Sequence, residues 1–68
     1  MKLKVTVEIE APDGAAYYAG DLLASPDWWK PLTRSDGEYW CCWSYERKAW
    51  LVSRTEKPYW IHAIAEVK

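Results

Sequence analysis

From Lys2 to Glu10 the chain alternates without interruption, with Leu3, Val5, Val7 and Ile9 on one side and Lys2, Lys4, Thr6, Glu8 and Glu10 on the other. Successive side chains of a strand point to opposite faces, so the pattern predicts one strand over 2–10 with a buried and a wet face. Ala11-Pro12-Asp13-Gly14 then predicts a turn, because Pro presets φ at its first central position and Gly accepts a left-handed one. Two patterns compete beyond it. Ala15 to Ala19 reads as a returning strand with Tyr17 and Tyr18 on opposite faces. Alternatively, Asp13 caps a helix over 14–24 whose stripe is Ala15, Tyr18, Ala19, Leu22 and Leu23. Gly20 in mid-helix costs about 1 kcal/mol, which tips the balance to the strand.

Ser25-Pro26-Asp27 predicts a short helical turn, with Ser as cap and Pro in the first position, carrying Trp28 and Trp29 and ended by Pro31. Ser35-Asp36-Gly37 marks another turn. The C-terminal half reads as a meander: a strand from Glu38 to Tyr45, a tight connection at Glu46-Arg47-Lys48, and a strand from Ala49 to Arg54. A turn over Thr55 to Pro58 and a last strand from Tyr59 to Val67 follow, with a bulge where the pattern slips phase near His62-Ala63. The expected fold is mainly β, at the α+β border: a small antiparallel sheet of four or five strands with one short helical segment, in a single domain over 1–68. The alternatives are β-α-β-β-β with the helix at 14–24, or an SH3-like barrel. Tyr17-Tyr18-Ala19-Gly20-Asp21-Leu22-Leu23 resembles such barrels over those few residues only.

In the hairpin from 38 to 54, a two-residue turn at Glu46-Arg47 or Arg47-Lys48 puts Tyr39, Cys41, Trp43, Tyr45, Trp50 and Val52 on one face. Trp43 then lies opposite or diagonal to Trp50, within reach of a cross-strand aromatic pair. Trp40, Cys42, Ser44, Ala49, Leu51 and Ser53 form a second face, expected to pack on Leu3, Val5, Val7 and Ile9. The first face is left as an aromatic plate. It is either a docking surface or a core covered by the Trp28–Trp29 segment.

Composition sharpens this choice. The chain has five Tyr and six Trp but no Phe, and it also lacks Asn and Gln. Rings that only fill a core include some Phe, since a buried indole N–H or phenol must find a partner. Tyr and Trp are favoured where one side packs and the other meets solvent or a partner. Net charge is −1, too little basic excess for a phosphate-gripping protein. The longest apolar runs are too short to span a bilayer, and the charged start lacks a signal peptide's apolar stretch, so a cytoplasmic location is expected.

Chemistry-bearing patterns are sparse. Cys41 and Cys42 are neighbours that point apart in a strand, so two reduced thiols are expected. His62 has no acid or nucleophile beside it in sequence, and neither a metal spacing nor a phosphate loop occurs. No catalytic residue, metal or cofactor is expected. The leading expectation is a non-enzymatic protein-binding domain anchored by Trp28, Trp29, Tyr39, Trp43, Tyr45, Arg47 and Trp50. Its small size suits a regulator or inhibitor of a larger enzyme, of the phage type that modulates a host. A second expectation is a single-stranded nucleic-acid binder, with Arg34, Arg47, Lys48, Arg54 and Lys57 rimming the rings. A third is self-association as a homodimer through edge strands and exposed rings.

Overall fold

The computed structural model describes residues 2–4 and 8–64, with side-chain surroundings from residue 10 onward. Among these described residues seven strands follow one another: β1 (Lys2–Lys4), β2 (Glu8–Glu10), β3 (Tyr17–Ala19), β4 (Asp27–Arg34), β5 (Gly37–Ser44), β6 (Ala49–Arg54) and β7 (His62–Ala63). β1 and β2 form a two-stranded sheet of their own, and the other five form an antiparallel sheet in the order β6-β5-β4-β3-β7. The fold is mainly β and open. β6 and β7 lie at opposite edges, so the sheet does not close into an SH3-like barrel.

The predicted single strand over 2–10 is instead a hairpin, with Lys2 opposite Glu10, Leu3 opposite Ile9 and Lys4 opposite Glu8. Alternation alone cannot separate the two arrangements, because folding the segment back on itself keeps like faces together and sets Lys across from Glu. The packing expected of Leu3, Val5, Val7 and Ile9 lies outside the described residues. At 14–24 the helix alternative fails. Tyr17–Ala19 is a strand paired to β4 and β7, and Gly20 takes a φ of +86°, which ends any helix. Leu22 and Leu23 sit in a turn held by Asp21, whose Oδ1 accepts the Leu23 N–H at 2.9 Å.

The short helical segment is also absent: Asp27–Arg34 is an eight-residue strand, and no α-helix occurs among the described residues. Trp28, Trp29, Leu32 and Thr33 are strand formers, and sheet pairing on both sides outweighs the local Ser-Pro start signal. Pro31 sits within this central strand, where a missing N–H is ordinarily excluded. The Trp29 carbonyl accepts the Ala16 N–H at 3.0 Å, and residues two apart aim their backbone groups the same way. The Pro31 nitrogen therefore faces the β3 side, beyond Tyr17 where β3 has ended. Locally, Pro31 is on an edge.

β5 and β6 pair with Trp43 opposite Trp50 and Ser44 opposite Ala49, the register of the Glu46-Arg47 turn. Tyr45 belongs to the four-residue connection rather than to the strand, and Lys48 closes it at a φ of +52°. The bulge lies between Trp40 and Cys41, not at His62-Ala63. The predicted last strand shrinks to His62–Ala63, because the chain must first travel from the β6 edge to the β3 edge. Four interstrand steps span about 19 Å. Residues 55–61, bent at Thr55-Glu56 and turning at Tyr59-Trp60, make this crossing over one face.

That crossing explains why the sheet has two apolar layers. One face carries Trp28 and Ala11 at its centre, with Ala15, Tyr18, Leu22, Trp43, Trp50 and Ile64 packed around them. The other carries Ala19, Trp29 and Ile61, with Tyr17, Trp40 and Cys42 around them. Trp28 is 1% exposed and Pro58, in the crossing, is also fully buried. Trp28→Ala is expected to cost about 3–5 kcal/mol, comparable with the whole stability of so small a core. Tyr59→Ala, at a ring that is 93% exposed, is expected to stay within about 0.5 kcal/mol of the parent. Urea unfolding followed by tryptophan emission checks both, and equal losses would place the core elsewhere.

Candidate functional site

The seven residues expected to form one docking plate divide among four places. Trp28, Trp43 and Trp50 share one face, where the Trp43 and Trp50 rings meet edge-on at 5.4 Å and 68°. The predicted cross-strand pair is thus present, but Trp28 lies beside it in the same layer and does not cover it. The cover comes from residues 11–15 and Leu22. The Trp50 Nε1–H donates to the Asp13 carbonyl at 3.2 Å, and the Lys30 ammonium sits 5.0 Å from the Trp50 ring centre. Both tryptophans are half-buried, so this part of the plate is core.

Trp29 faces the opposite layer and is 6% exposed, so both adjacent tryptophans are buried, one on each side of the sheet. Parity explains this: neighbours in a strand cannot share a face. The second face accordingly carries large rings, with Trp29, Trp40 and Tyr17 all on it. The Trp29 Nε1–H finds no acceptor among the described residues. Tyr39 lies at the far end of the hairpin, its hydroxyl donating to Asp36 Oδ2 at 2.9 Å while the Arg34 guanidinium stacks 5.5 Å from its ring centre. It staples the β4–β5 turn. Arg47 is exposed in the β5–β6 turn, where its backbone N–H donates to Ser44 Oγ at 3.2 Å.

Tyr45 has a structural assignment. Its hydroxyl donates to the Pro26 carbonyl, and its oxygen accepts from the indole N–H of Trp28. The most buried tryptophan therefore discharges its polar handle through a ring that is itself half in solvent. Burial raises the Tyr45 phenol above its ordinary range, the Trp28 hydrogen bond acts in the opposite direction, and the Asp27 charge adds to the rise. Cys42 is likewise raised, first by burial and then by Asp27, so it holds its proton and is a poor nucleophile at neutral pH. Cys41 is buried, and both thiols are free.

The rings that do reach solvent belong to the crossing. Tyr59 is 93% exposed and Trp60 40% exposed, and they meet edge-on at 5.1 Å. Trp60 also contacts Trp29 edge-on at 6.3 Å, and the Arg54 guanidinium lies 4.8 Å from the Trp60 ring centre. On the same face the Lys57 ammonium lies 4.8 Å from the Tyr17 ring, which meets Trp40 edge-on at 5.3 Å. Leu51, opposite Cys42 and so on this face, is also exposed. The sequence reading missed this group because Tyr59 and Trp60 fell inside a predicted strand. No local pattern marks this group in the sequence, since adjacent rings in a strand can both be buried, as Trp28 and Trp29 are.

A shallow open cleft of about 440 Å³, lined by Tyr39, Val52, Ser53, Arg54, Thr55 and Glu56, shares Arg54 with these rings. Among the described residues no group of three or more His, Cys, Asp or Glu side chains is placed to hold a metal. Nor does any described helix have the length and apolarity to cross a membrane. His62 is exposed and tilts against Tyr18 at 5.5 Å.

Tyr45→Phe is expected to destabilise by about 1–2 kcal/mol, since it removes the acceptor of a buried indole N–H. The raised phenol also sets a pH dependence. Tyr45 contributes fully below the ordinary phenol range, and its contribution is lost as pH rises through that range, because the unfolded chain ionises first. Denaturation midpoints of wild type and Tyr45→Phe should therefore converge at high pH; a constant gap would mean that burial does not raise the Tyr45 phenol. No protein-family model, curated protein or solved structure matches this chain.

Proposed function

We propose that this chain is a non-enzymatic protein-binding domain that docks on a larger partner through Tyr59, Trp60 and Arg54. The reading rests on one observation: the crossing holds Tyr59 at 93% exposure against a 40% exposed Trp60 whose face is stacked by Arg54. Trp, Tyr and Arg are the residues that dominate binding hot spots. Covering a ring such as Tyr59 is worth on the order of 3 kcal/mol before the costs of association. The sheet below gives the anchors a fixed seat, since Trp60 rests on Trp29 and Ile61 is packed in the same layer. Preorganised rings lose little freedom on binding, which favours affinity.

The anchors differ from the plate read in the sequence, but the chemistry is the one expected there. Small size and an exposed aromatic–cationic patch suit a regulator that occludes part of a larger enzyme. Two free thiols on a narrow sheet suit a reducing compartment, which supports a cytoplasmic location.

Affinity capture should be run with the wild type, with Tyr59→Ala/Trp60→Ala, and with Arg47→Ala as a control in the β5–β6 turn, at the opposite end of the hairpin from Arg54. A partner held by wild type and control should bind the double variant at least about tenfold more weakly, a loss of about 1.4 kcal/mol or more. Equal retention by a folded double variant would remove the patch from the interface. Oligonucleotides provide the competing arm: tryptophan quenching that disappears steeply with salt would assign the same rings to single-stranded nucleic acid instead.

A further inference from the structure

Resting on the docking reading above, we propose that the partner is recognised through a side-chain carboxylate, which the Arg54 guanidinium forks while Tyr59 and Trp60 cover an apolar residue beside it. Trp40 pairs with Arg54 and Cys41 with Val52, so Ser53 has no partner on β5 and is the extra residue of the bulge. In an unbroken ladder Arg54 would share the face of Trp50 and Val52, on the Trp28 side. The inserted residue turns Arg54 to the other face, opposite Trp40, where its guanidinium lies 4.8 Å from the Trp60 ring centre. The bulge thus re-aims a cation onto an exposed ring.

Among the described residues four cations lie on rings: Lys30 on Trp50, Arg34 on Tyr39, Lys57 on Tyr17 and Arg54 on Trp60. Of these, only Arg54 also lines the open cleft of about 440 Å³ at the bulged end of β6, together with Ser53 and Thr55. It forms no ion pair among the described residues. A guanidinium that rests its face on an indole keeps the N–H donors at its rim, and those match the two oxygens of a carboxylate. Stacking fixes the fork in advance, so little side-chain freedom is lost when an acid arrives.

Local charge decides which kind of acid fits. Arg54 lines the cleft and Lys57 lies on the same face of the sheet, while Glu56 lines the cleft against them, which leaves one positive charge over. A monoanionic carboxylate completes that balance. A phosphate group, at about −1.5 to −2, would set its excess charge against Glu56. The exposed Tyr59 ring, edge-on to Trp60, supplies the apolar half of the contact. The partner segment is therefore acidic and apolar together, with Asp or Glu next to an aromatic or branched aliphatic residue.

The test uses peptides selected on the immobilised full chain from a random display library, then synthesised with both termini capped so that only side chains carry charge. Peptides held by wild type are expected to contain Asp or Glu beside an apolar residue. Changing that acid to its amide should weaken binding about tenfold or more, the loss expected for a charge-assisted pair. Arg54→Gln should lose the same factor on the acidic peptide and nothing further on the amide one, as a direct contact requires. Arg54→Lys, which keeps the charge without the fork, should not restore wild-type affinity. Near-ultraviolet dichroism matching wild type establishes that each variant is folded. Peptides that need Tyr59 and Trp60 yet tolerate the amide, or that bind more tightly with phosphoserine in place of the acid, would overturn this inference and leave the docking patch standing. An empty selection, or peptides indifferent to Tyr59→Ala/Trp60→Ala, would overturn the docking reading along with it.

Discussion

Two consecutive tryptophans in the middle strand impose the constraint that the rest of the sheet answers. Neighbours in a strand point to opposite faces, so Trp28 and Trp29 put a large ring at the centre of each side. A small antiparallel sheet ordinarily keeps one face wet. Here neither face can be left open, and the chain supplies a cover for each. Residues 11–15 and Leu22 close over Trp28, while the crossing from β6 to β7 closes over Trp29. The unusual strand order follows: the last strand must end beside β3 rather than β6 for its lead-in to lie across the second layer.

The choice of Tyr and Trp over Phe acquires a structural meaning from these layers. The Trp28 N–H donates to the Tyr45 oxygen, whose own O–H donates to the Pro26 carbonyl, and the Trp50 N–H donates to the Asp13 carbonyl. In both cases the polar handle ties the sheet to a connecting segment. Cations complete the pattern by lying on ring faces, as Lys30 does on Trp50 and Arg54 on Trp60. Part of the aromatic excess is therefore internal bracing, and only the portion carried by Tyr59 and Trp60 is turned outward.

Much of the fold was legible in the sequence where local pattern and pairing agree. The hairpin from β5 to β6, its Trp43–Trp50 pair, the turns at Pro12-Asp13-Gly14 and Ser35-Asp36, and the strand reading of Tyr17–Ala19 all follow from parity and turn chemistry. The misreadings share a cause, which is that long-range pairing decides what local signals cannot. Ser25-Pro26-Asp27 carries a helix-start signal, yet β3 and β5 on either side make Asp27–Arg34 a strand, with Pro31 tolerated because β3 stops short. Residues 2–10 satisfy one strand and a hairpin equally well. The outward rings were hidden because a loop that crosses a sheet has no periodicity to announce it.

Cys41 and Cys42 have a consequence of their own. Adjacent and free, they sit under different layers, Cys41 on the Trp28 side opposite Lys30 and Cys42 packed among Trp29, Ile61 and Ala19. A sheet with two independent lids can loosen on one side while the other stays shut. The vicinal thiols straddle that boundary within a single peptide unit, so the chain carries its own internal reporter: Cys41 is the buried sulfur, and its alkylation requires the Trp28 side to open.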